Sequence, residues 1–406
     1  MIPISKALKL ITAQTAPLGT EKVPLADAVG RVLAEPVVAD TDLPPFDRSM
    51  MDGYAVIAAD ITKTPVSLNI VGESSAGHGW NGRLRGGQAV RIMTGARVPA
   101  GADAVQRVEV TSESNGCVKV LEPVRKGMSV VRRGAEIKRG KVVFKTGEVI
   151  TENMIAALAS FGYAKILVGR RPRVAILGTG SEIVGVGKKP GLDQIRNSNS
   201  VMLDVLARRF AAETTVLPMA KDRLDALKSA IQEAVGSKNS EPRTLNSELL
   251  IITGGVSVGK YDLTKQALTE LGAEIFFEKV RLKPGKPAVF ARLGKTLVFG
   301  LPGNPVSAAV TFHLFVRKAL MLMQGASSTD LLTGTAVAGA NVKAAKDRDT
   351  YTAARFETDA AGRLIAVPLR TQGSSDLVSF ARAEALIFIA AGTGYKIGDA
   401  VKVAFL

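Results

Sequence analysis

The chain has 406 residues, too many for one ordinary hydrophobic core, so about two to four domains are expected. Its apolar content of 46% and charged content of 22% are those of a soluble globular protein and exclude a disordered or fibrous chain. The balance of 53 Lys and Arg against 37 Asp and Glu, a net charge of +16, points to anionic partners: nucleic acid, a membrane surface or phosphorylated small molecules.

In chain order, residues 3–16 carry helical apolar spacing at Ile4, Ala7, Leu8 and Ile11. From 20 to 150 the pattern becomes short β-rich runs broken by Gly and Pro, such as VSLNIV, QAVRIM, AVQRVEV and CVKVLEPV. Within this region stand the runs LPPFDRSMMDGYAV (43–56) and MTGARVPAGADAV (93–105). Gly53 permits a tight or left-handed backbone, which puts Asp52 at the tip of a turn with its carboxylate exposed. Thr151 opens a helix, TENMIAALASFGYA, with Gly162 as its stop, expected to pair in space with the first helix.

From Arg173 strands alternate with helices. RVAIL, TTVLPMA, ELLIITGG, EIFFEKV and TLVFGLPG read as strands, separated by helices at NSNSVMLDVLARRF, at DRLDALKSAIQEAV with Asp222 as its cap, and at Asp262 to Leu271. Asn304 and Pro305 suit the start of a long helix reaching Met323. This alternation implies a parallel sheet covered on both faces, with ligands beyond the carboxyl ends of its strands. After about Gln324 short strands return, which predicts a small β-barrel or sandwich. The fold class is therefore multidomain, α/β plus β-rich: a three-layer α/β/α domain (171–323), a β-rich domain with the MDGYA run (41–138), a helix-containing linking domain (1–40 with 139–170) and a C-terminal small β-barrel (324–406).

One cysteine, Cys117, excludes an internal disulfide and a Cys-rich zinc or iron–sulfur site. Two histidines, His78 and His313, argue against a His-based metal centre or His-dependent triad, and His313 reads as a buried core residue. Residues 1–10 lack the pattern of a signal peptide, and no apolar run is long enough to span a bilayer, so a cytoplasmic protein without membrane partners is expected. The basic cluster Arg125, Lys126, Arg132, Arg133, Lys138, Arg139, Lys141 and Lys145 is opposed along the sequence only by Glu136. With Phe144 its single aromatic neighbour, it reads as a solvated surface rather than a nucleic-acid platform.

Three glycine-rich loops follow three predicted strands: Gly178-Thr179-Gly180-Ser181-Glu182, the 253–262 loop with Gly254, Gly255, Ser257 and Asp262, and Gly300 to Pro305 with Gly303 and Asn304. Such loops bring backbone N–H groups to phosphate oxygens, and the following helix adds its positive end. None fits G-x-G-x-x-G or the P-loop. Glu182 and Asp262 stand at two of the loop mouths, where Mg2+ shared with a substrate phosphate would need oxygen ligands; plainer readings are a first-turn acid and a helix cap. In KPGKP, Lys283 and Lys286 flank a Pro-Gly turn, with Lys279 and Arg281 just before, a set able to hold an oxyanion or phosphate.

The ordered set LPPFDRSMMDGYAV, MTGARVPAGADAV, GTGSE, TGGVSVGKYD, KPGKP and GLPGNPVS resembles the bacterial MoeA family, similar to the E domain of gephyrin, over nearly the whole chain. The resemblance implies insertion of molybdenum from molybdate into adenylylated molybdopterin with Mg2+-assisted release of AMP. It also implies a homodimer, with an upstream adenylyltransferase and recipient molybdoenzymes as further partners. It gives functional positions at Asp52, Thr94, Glu182, Asp222, Asp262, Lys279 and Lys283, with Lys286 and Ser307 in the molybdate and nucleotide site and Ser374 as the family's C-terminal serine contact. The family's aromatic-x-Arg becomes Tyr351-Thr352-Ala353 here, and Arg355 is expected to substitute because it shares the strand face of residue 353. The family's aspartate after its arginine run becomes Glu136, and its first arginine Val131. Alternatives from other classes are an adenylyltransferase acting one step earlier and a non-catalytic scaffold.

Overall fold

The computed structural model describes residues 1–236, 246–254 and 263–406. The chain divides into two units, Pro36–Lys145 with Ala156–Tyr163, and Met1–Glu35, Thr146–Ile155 and Ala164–Leu406. The first helix, α1 (Ile4–Gln14), belongs to the second of these.

In the Pro36–Lys145 unit the alternating runs form a six-stranded sheet: β1 (Gly53–Val56), β2 (Val66–Ser74), β3 (Gln88–Ile92), β4 (Ala104–Arg107), β5 (Thr111–Ser114) and β6 (Cys117–Val120), in the order β4-β1-β3-β2-β6-β5. β1 is an interior strand, paired on both sides and buried at all four positions. Gly53 serves close approach rather than a turn: it pairs with both Ile92 and Arg107, and a Cβ there would lie 1.9 Å from the Gln106 carbonyl oxygen. The basic cluster is less lopsided in space than in sequence. Arg132 pairs with Asp47 at 2.6 Å, Arg133 with Asp42 at 2.5 Å, and Glu136 with Arg48 at 3.3 Å.

In the other unit, β7 (Arg173–Gly178), α3 (Ser198–Arg209), β8 (Glu213–Val216), α4 (Leu224–Val235), β9 (Leu249–Thr253) and α5 (Leu263–Glu270) alternate as expected. Asn197 caps α3 by accepting from the Ser200 N–H at 3.1 Å. β10 (Glu274–Lys279), β11 (Leu282–Lys283), β12 (Pro287–Leu293), β13 (Thr296–Leu301) and the helix α6 (Pro305–Met323) follow. The sheet order is β8-β7-β9-β13-β12-β10. It is mixed rather than parallel throughout, because β12 runs antiparallel to β13 and β10. Alternation along the buried strands sorts side chains into two layers: Val174, Ile176, Leu249 and Ile251 face the core shared with α3 and α6, whereas Ala175, Leu177, Leu250 and Ile252 face α4 and α5. α1 joins the first layer through Ile4, Ala7 and Ile11; α2 (Glu152–Ser160), its expected partner, contributes nothing to that cluster among the described residues.

α6 is long and apolar enough to cross a membrane by length and composition, against the expectation that no segment is, yet 89% of its apolar 18-residue stretch is buried inside the fold and the helix carries Arg317 and Lys318. It is a core helix, with a π-helical turn at Phe312–Val316. The C-terminal strands β14 (Thr333–Ala338), β15 (Asp349–Thr358), β16 (Leu364–Pro368), β17 (Ala385–Ile389) and β18 (Ala400–Phe405) close a five-stranded barrel, because β15 pairs with both β16 and β17. β11 joins its rim, with Lys283 opposite Thr350.

His313 on α6 is buried, as expected. Burial, reinforced by the charges of Arg209 and Arg317, pulls its pKa from 6.5 to about 4, so the folded chain keeps it neutral. Below pH 6.5 the unfolded chain takes up a proton that the fold refuses until about pH 4. This contribution is therefore intact above pH 6.5 and falls, by on the order of 3 kcal/mol, as the pH drops toward 4. Denaturant titrations at pH 7 and 4.5 should show that loss in the wild type, and His313→Leu should lack this component of it.

Candidate functional site

Gly178, Thr253 and Leu301 are register partners on the adjacent parallel strands β7, β9 and β13. Their following segments therefore leave the sheet at one edge, where open α/β sheets bind ligands. Hydrogen bonds join them: Thr179 N donates to Thr253 O at 3.0 Å, and Gly254 N to Leu301 O at 3.3 Å. Asn199, on the first turn of α3, donates through Nδ2 to Thr253 Oγ1 at 3.0 Å and to Gly303 O at 2.7 Å. The expected helix cap at Asp222 is not formed, because α4 starts at Leu224 with Arg223 at its cap position. Asp222 Oδ2 instead accepts from Ser181 N at 2.8 Å and Ser181 Oγ at 3.1 Å, which fixes the first loop.

These segments wall a cleft of about 1640 Å3. Gly178, Thr179, Gly180, Ser181 and Glu182 line one side, with Thr253, Gly254, Gly303, Asn304 and Ser307 behind them. Lys279, Lys283 and Lys286 line it as well, while Arg281 is exposed and outside the lining. Gly285, at φ +116, closes the KPGKP turn where a Cβ would meet Thr311 Cγ2 at 2.6 Å. Ser374 reaches the start of α6 from the barrel: its Oγ accepts from Asn304 Nδ2 at 2.7 Å and its carbonyl from Val306 N at 3.1 Å. Thr179 Oγ1 and Asn199 Oδ1 are buried at the cleft wall without a hydrogen-bond partner among the described residues, leaving polar atoms there for a ligand.

Not every expected residue comes to this cleft. Gly255, Ser257 and Asp262 lie outside the described residues. Arg355 shares the strand face of Ala353 but stands farther along β15, beyond the cleft, where it pairs with Glu357 at 2.5 Å. Barrel residues that do line the cleft include Lys343, Arg348, Tyr351 and Ala353 itself, besides Ser374. Burial, with the nearby Asp349 charge, pushes the Tyr351 phenol up to about 12, so it stays protonated and able to donate. Of Asn199, Lys343, Arg348 and Tyr351, Tyr351 alone had a sequence signal, as the aromatic of the family's aromatic-x-Arg.

Asp52 and Thr94 belong to the Pro36–Lys145 unit, not to the unit that forms the cleft. Asp52 Oδ1 accepts from Thr94 N at 2.6 Å and from Thr94 Oγ1 at 2.7 Å. These two donors hold the exposed Asp52 carboxyl below the usual carboxylate range.

A metal ion at the cleft would rest on few protein ligands, because no group of three or more His, Cys, Asp or Glu is placed to hold one among the described residues. The exposed carboxylate of Glu182, which lies over Gly180 with both oxygens within 3.0 Å of an ideal Cβ there, has no protein partner among those residues. One or two carboxylates completed by substrate oxygens is the donor set Mg2+ accepts, so the residues present fit that ion.

Fold and cleft together define a molybdopterin-binding type of α/β protein carrying two β-rich attachments. Residues 2–162 match the MoeA N-terminal region (domain I and II), 175–322 the probable molybdopterin binding domain, and 335–406 the MoeA C-terminal region (domain IV). The curated molybdopterin molybdenumtransferase of Bacillus subtilis is 34% identical over 99% of this chain and 93% of its own length, and that of Staphylococcus aureus 32% identical over 99% and 95%. A crystal structure of the molybdopterin biosynthesis moeA protein of Pyrococcus horikoshii superposes with a TM-score of 0.84 at 31% identity, covering all of both chains. The chain belongs to the molybdopterin molybdenumtransferase family, transferases of molybdenum cofactor biosynthesis.

Gly254 gives the cleft a direct test. It holds φ +94, and an added Cβ would lie 2.5 Å from Thr179 O and 2.8 Å from Thr179 Oγ1. Gly254→Ala should cost about 1–3 kcal/mol in thermal or denaturant unfolding, through the strained backbone and its contact with Thr179.

Proposed function

We propose that the chain carries out the molybdenum-insertion step: it takes adenylylated molybdopterin and molybdate, places molybdenum on the dithiolene and releases AMP. The observation that carries this reading is one cleft in which phosphate-type glycine loops and the lysines 279, 283 and 286 meet. Anionic substrates on both sides of the reaction suit a chain of net charge +16.

The N–H groups of Gly180 and Glu182 and the start of α6 hold the phosphates, and Asp222 keeps the first loop in place through Ser181. Lys279, Lys283 and Lys286 collect molybdate and offset the charge that develops as the phosphoanhydride breaks. Glu182, with Asp262 as the expected second ligand, would hold Mg2+, which when bound polarises phosphoryl oxygens and neutralises leaving-group charge. Asn304, Ser307 and Ser374 line the nucleotide side. Asp52 and Thr94 are assigned to substrate orientation from a second protomer of a homodimer, as the resemblance to the family implies. With its low pKa, Asp52 suits holding or orienting a cationic or donor group rather than general-base work near pH 7. A cytoplasmic location, with the adenylyltransferase before it and recipient molybdoenzymes after it, belongs to the same proposal.

The test is AMP release from adenylylated molybdopterin with Mg2+, with and without molybdate. Release that depends on molybdate supports insertion; release indifferent to molybdate, or consumption of ATP with molybdopterin, contradicts it. In the same assay Asp52→Ala should lose about 100-fold or more of the rate at an unchanged Tm, because its carboxylate is exposed and, among the described residues, bonds only Thr94. Normal turnover by that variant removes Asp52 from the machinery.

A further inference from the structure

The cleft is charged unevenly. Among the described residues its lining carries six cations, Arg196, Lys279, Lys283, Lys286, Lys343 and Arg348, against two carboxylates, Glu182 and Asp222. Both carboxylates belong to the β7 side, where Asp222 is bonded to Ser181. Lys279 ends β10, which is four places from β7 in the sheet, about 19 Å away at the usual strand spacing. The KPGKP turn links β10 to β12 at that far side, and the barrel is attached to it.

The attachment is specific. Leu282 and Lys283 run parallel to β15 opposite Asp349 and Thr350, and Asp349 N donates to Arg281 O at 3.2 Å. Arg348 is therefore the residue immediately before the strand that Lys283 pairs with. A bridge between Ala345 and Arg348 folds the preceding segment back on itself, and this segment carries Lys343 into the same cleft. Arg348 is not free: its Nε donates to Asp347 Oδ1 at 3.2 Å. Asp347 in turn lies within the field of Lys286, since Arg348 first and Lys286 to a lesser degree hold its carboxyl below the usual range. Asp347 thus engages Arg348 from a position beside the cleft.

We propose that Arg348 and Lys343 are binding residues for the oxyanion substrate, completing with Lys279, Lys283 and Lys286 a subsite for a tetrahedral dianion at the barrel end of the cleft, and that Asp347 competes with that dianion for Arg348. This rests on the insertion reading for the identity of the dianion as molybdate. The planar guanidinium of Arg348 presents two parallel N–H donors to two oxygens of one anion, which the point charges of the lysines cannot do. Asp347 makes occupancy exclusive: the anion must take Arg348 from the carboxylate, so weaker or monoanionic competitors are disfavoured.

The experiment is equilibrium binding of molybdate, with sulfate and chloride as competitors, to the full chain and four variants, together with the KM for molybdate in the AMP-release assay. Arg348→Gln and Lys343→Gln should each weaken molybdate binding about tenfold, as expected for a charge-assisted contact, and raise that KM in step. AMP binding should stay within about twofold in both, because the contacts assigned to it, the Gly178–Glu182 loop with Asn304, Ser307 and Ser374, include neither residue. Asp347→Asn should tighten molybdate binding a few-fold, a gain that a residue serving only the fold would not produce. Arg355→Gln, whose guanidinium is engaged outside the cleft, should bind molybdate like the wild type. Saturable wild-type binding that Arg348→Gln and Lys343→Gln leave unchanged overturns the subsite while leaving the insertion reading standing. A molybdate effect at Arg355 but not Arg348 overturns it in favour of the other arginine. Wild-type protein that binds no molybdate, or AMP release without molybdate dependence, overturns the reading on which the subsite rests.

Discussion

One register holds the cleft together. Gly178, Thr253 and Leu301 stand side by side on three adjacent parallel strands, so the three segments that follow must emerge at the same edge. The two-layer sorting of β7 and β9 makes this register costly to shift, because a one-residue slip would exchange Ile176 and Ile251 for Leu177 and Ile252 between the two cores. The stability of the two cores and the placement of the loops are thus the same constraint. Asn199 and Asp222 then act as fasteners, one between the second and third segments and one within the first.

The second organising feature is the β10–β12 connection. Because β10 runs parallel to β13 and β12 returns antiparallel, KPGKP turns over at the same sheet edge as the glycine loops. The pairing of β11 with β15 attaches the barrel there, so a domain with its own core supplies cleft residues without disturbing the α/β core. The cleft acquires a phosphate-suited end and a cationic end from the geometry of one sheet and one turn.

Much of this was legible in the sequence, for identifiable reasons. The glycine loops announced themselves because backbone approach and positive φ leave glycine as the residue that fits, as at Gly254 with φ +94. The helices α3, α4 and α6 were legible from spacing and from Asn197, Asn304 and Pro305 at their starts. What the sequence concealed depends on contacts between distant residues. Asp222 resembles a helix cap until Ser181, 41 positions away, is seen to take its carboxylate. The strand β12 was missed because PAVFARL follows directly on a Pro-rich turn, and its antiparallel hairpin with β13 made the sheet mixed. Arg355 shared a face with Ala353, but how far along the barrel the cleft extends is set by the closure of β15 onto β16 and β17. The pairing of Arg132 and Arg133 with Asp47 and Asp42 was hidden for the same reason, since those partners lie 85 and 91 positions away.

The most direct test of the account is a crystal structure of the chain soaked with AMP and molybdate, with the molybdenum located by its anomalous signal. The account predicts the nucleotide phosphate against the Gly178–Glu182 loop and the start of α6, and the molybdenum among Lys279, Lys283 and Lys286. Phosphate and molybdenum bound together elsewhere, or the cleft empty under saturating ligand, would contradict it.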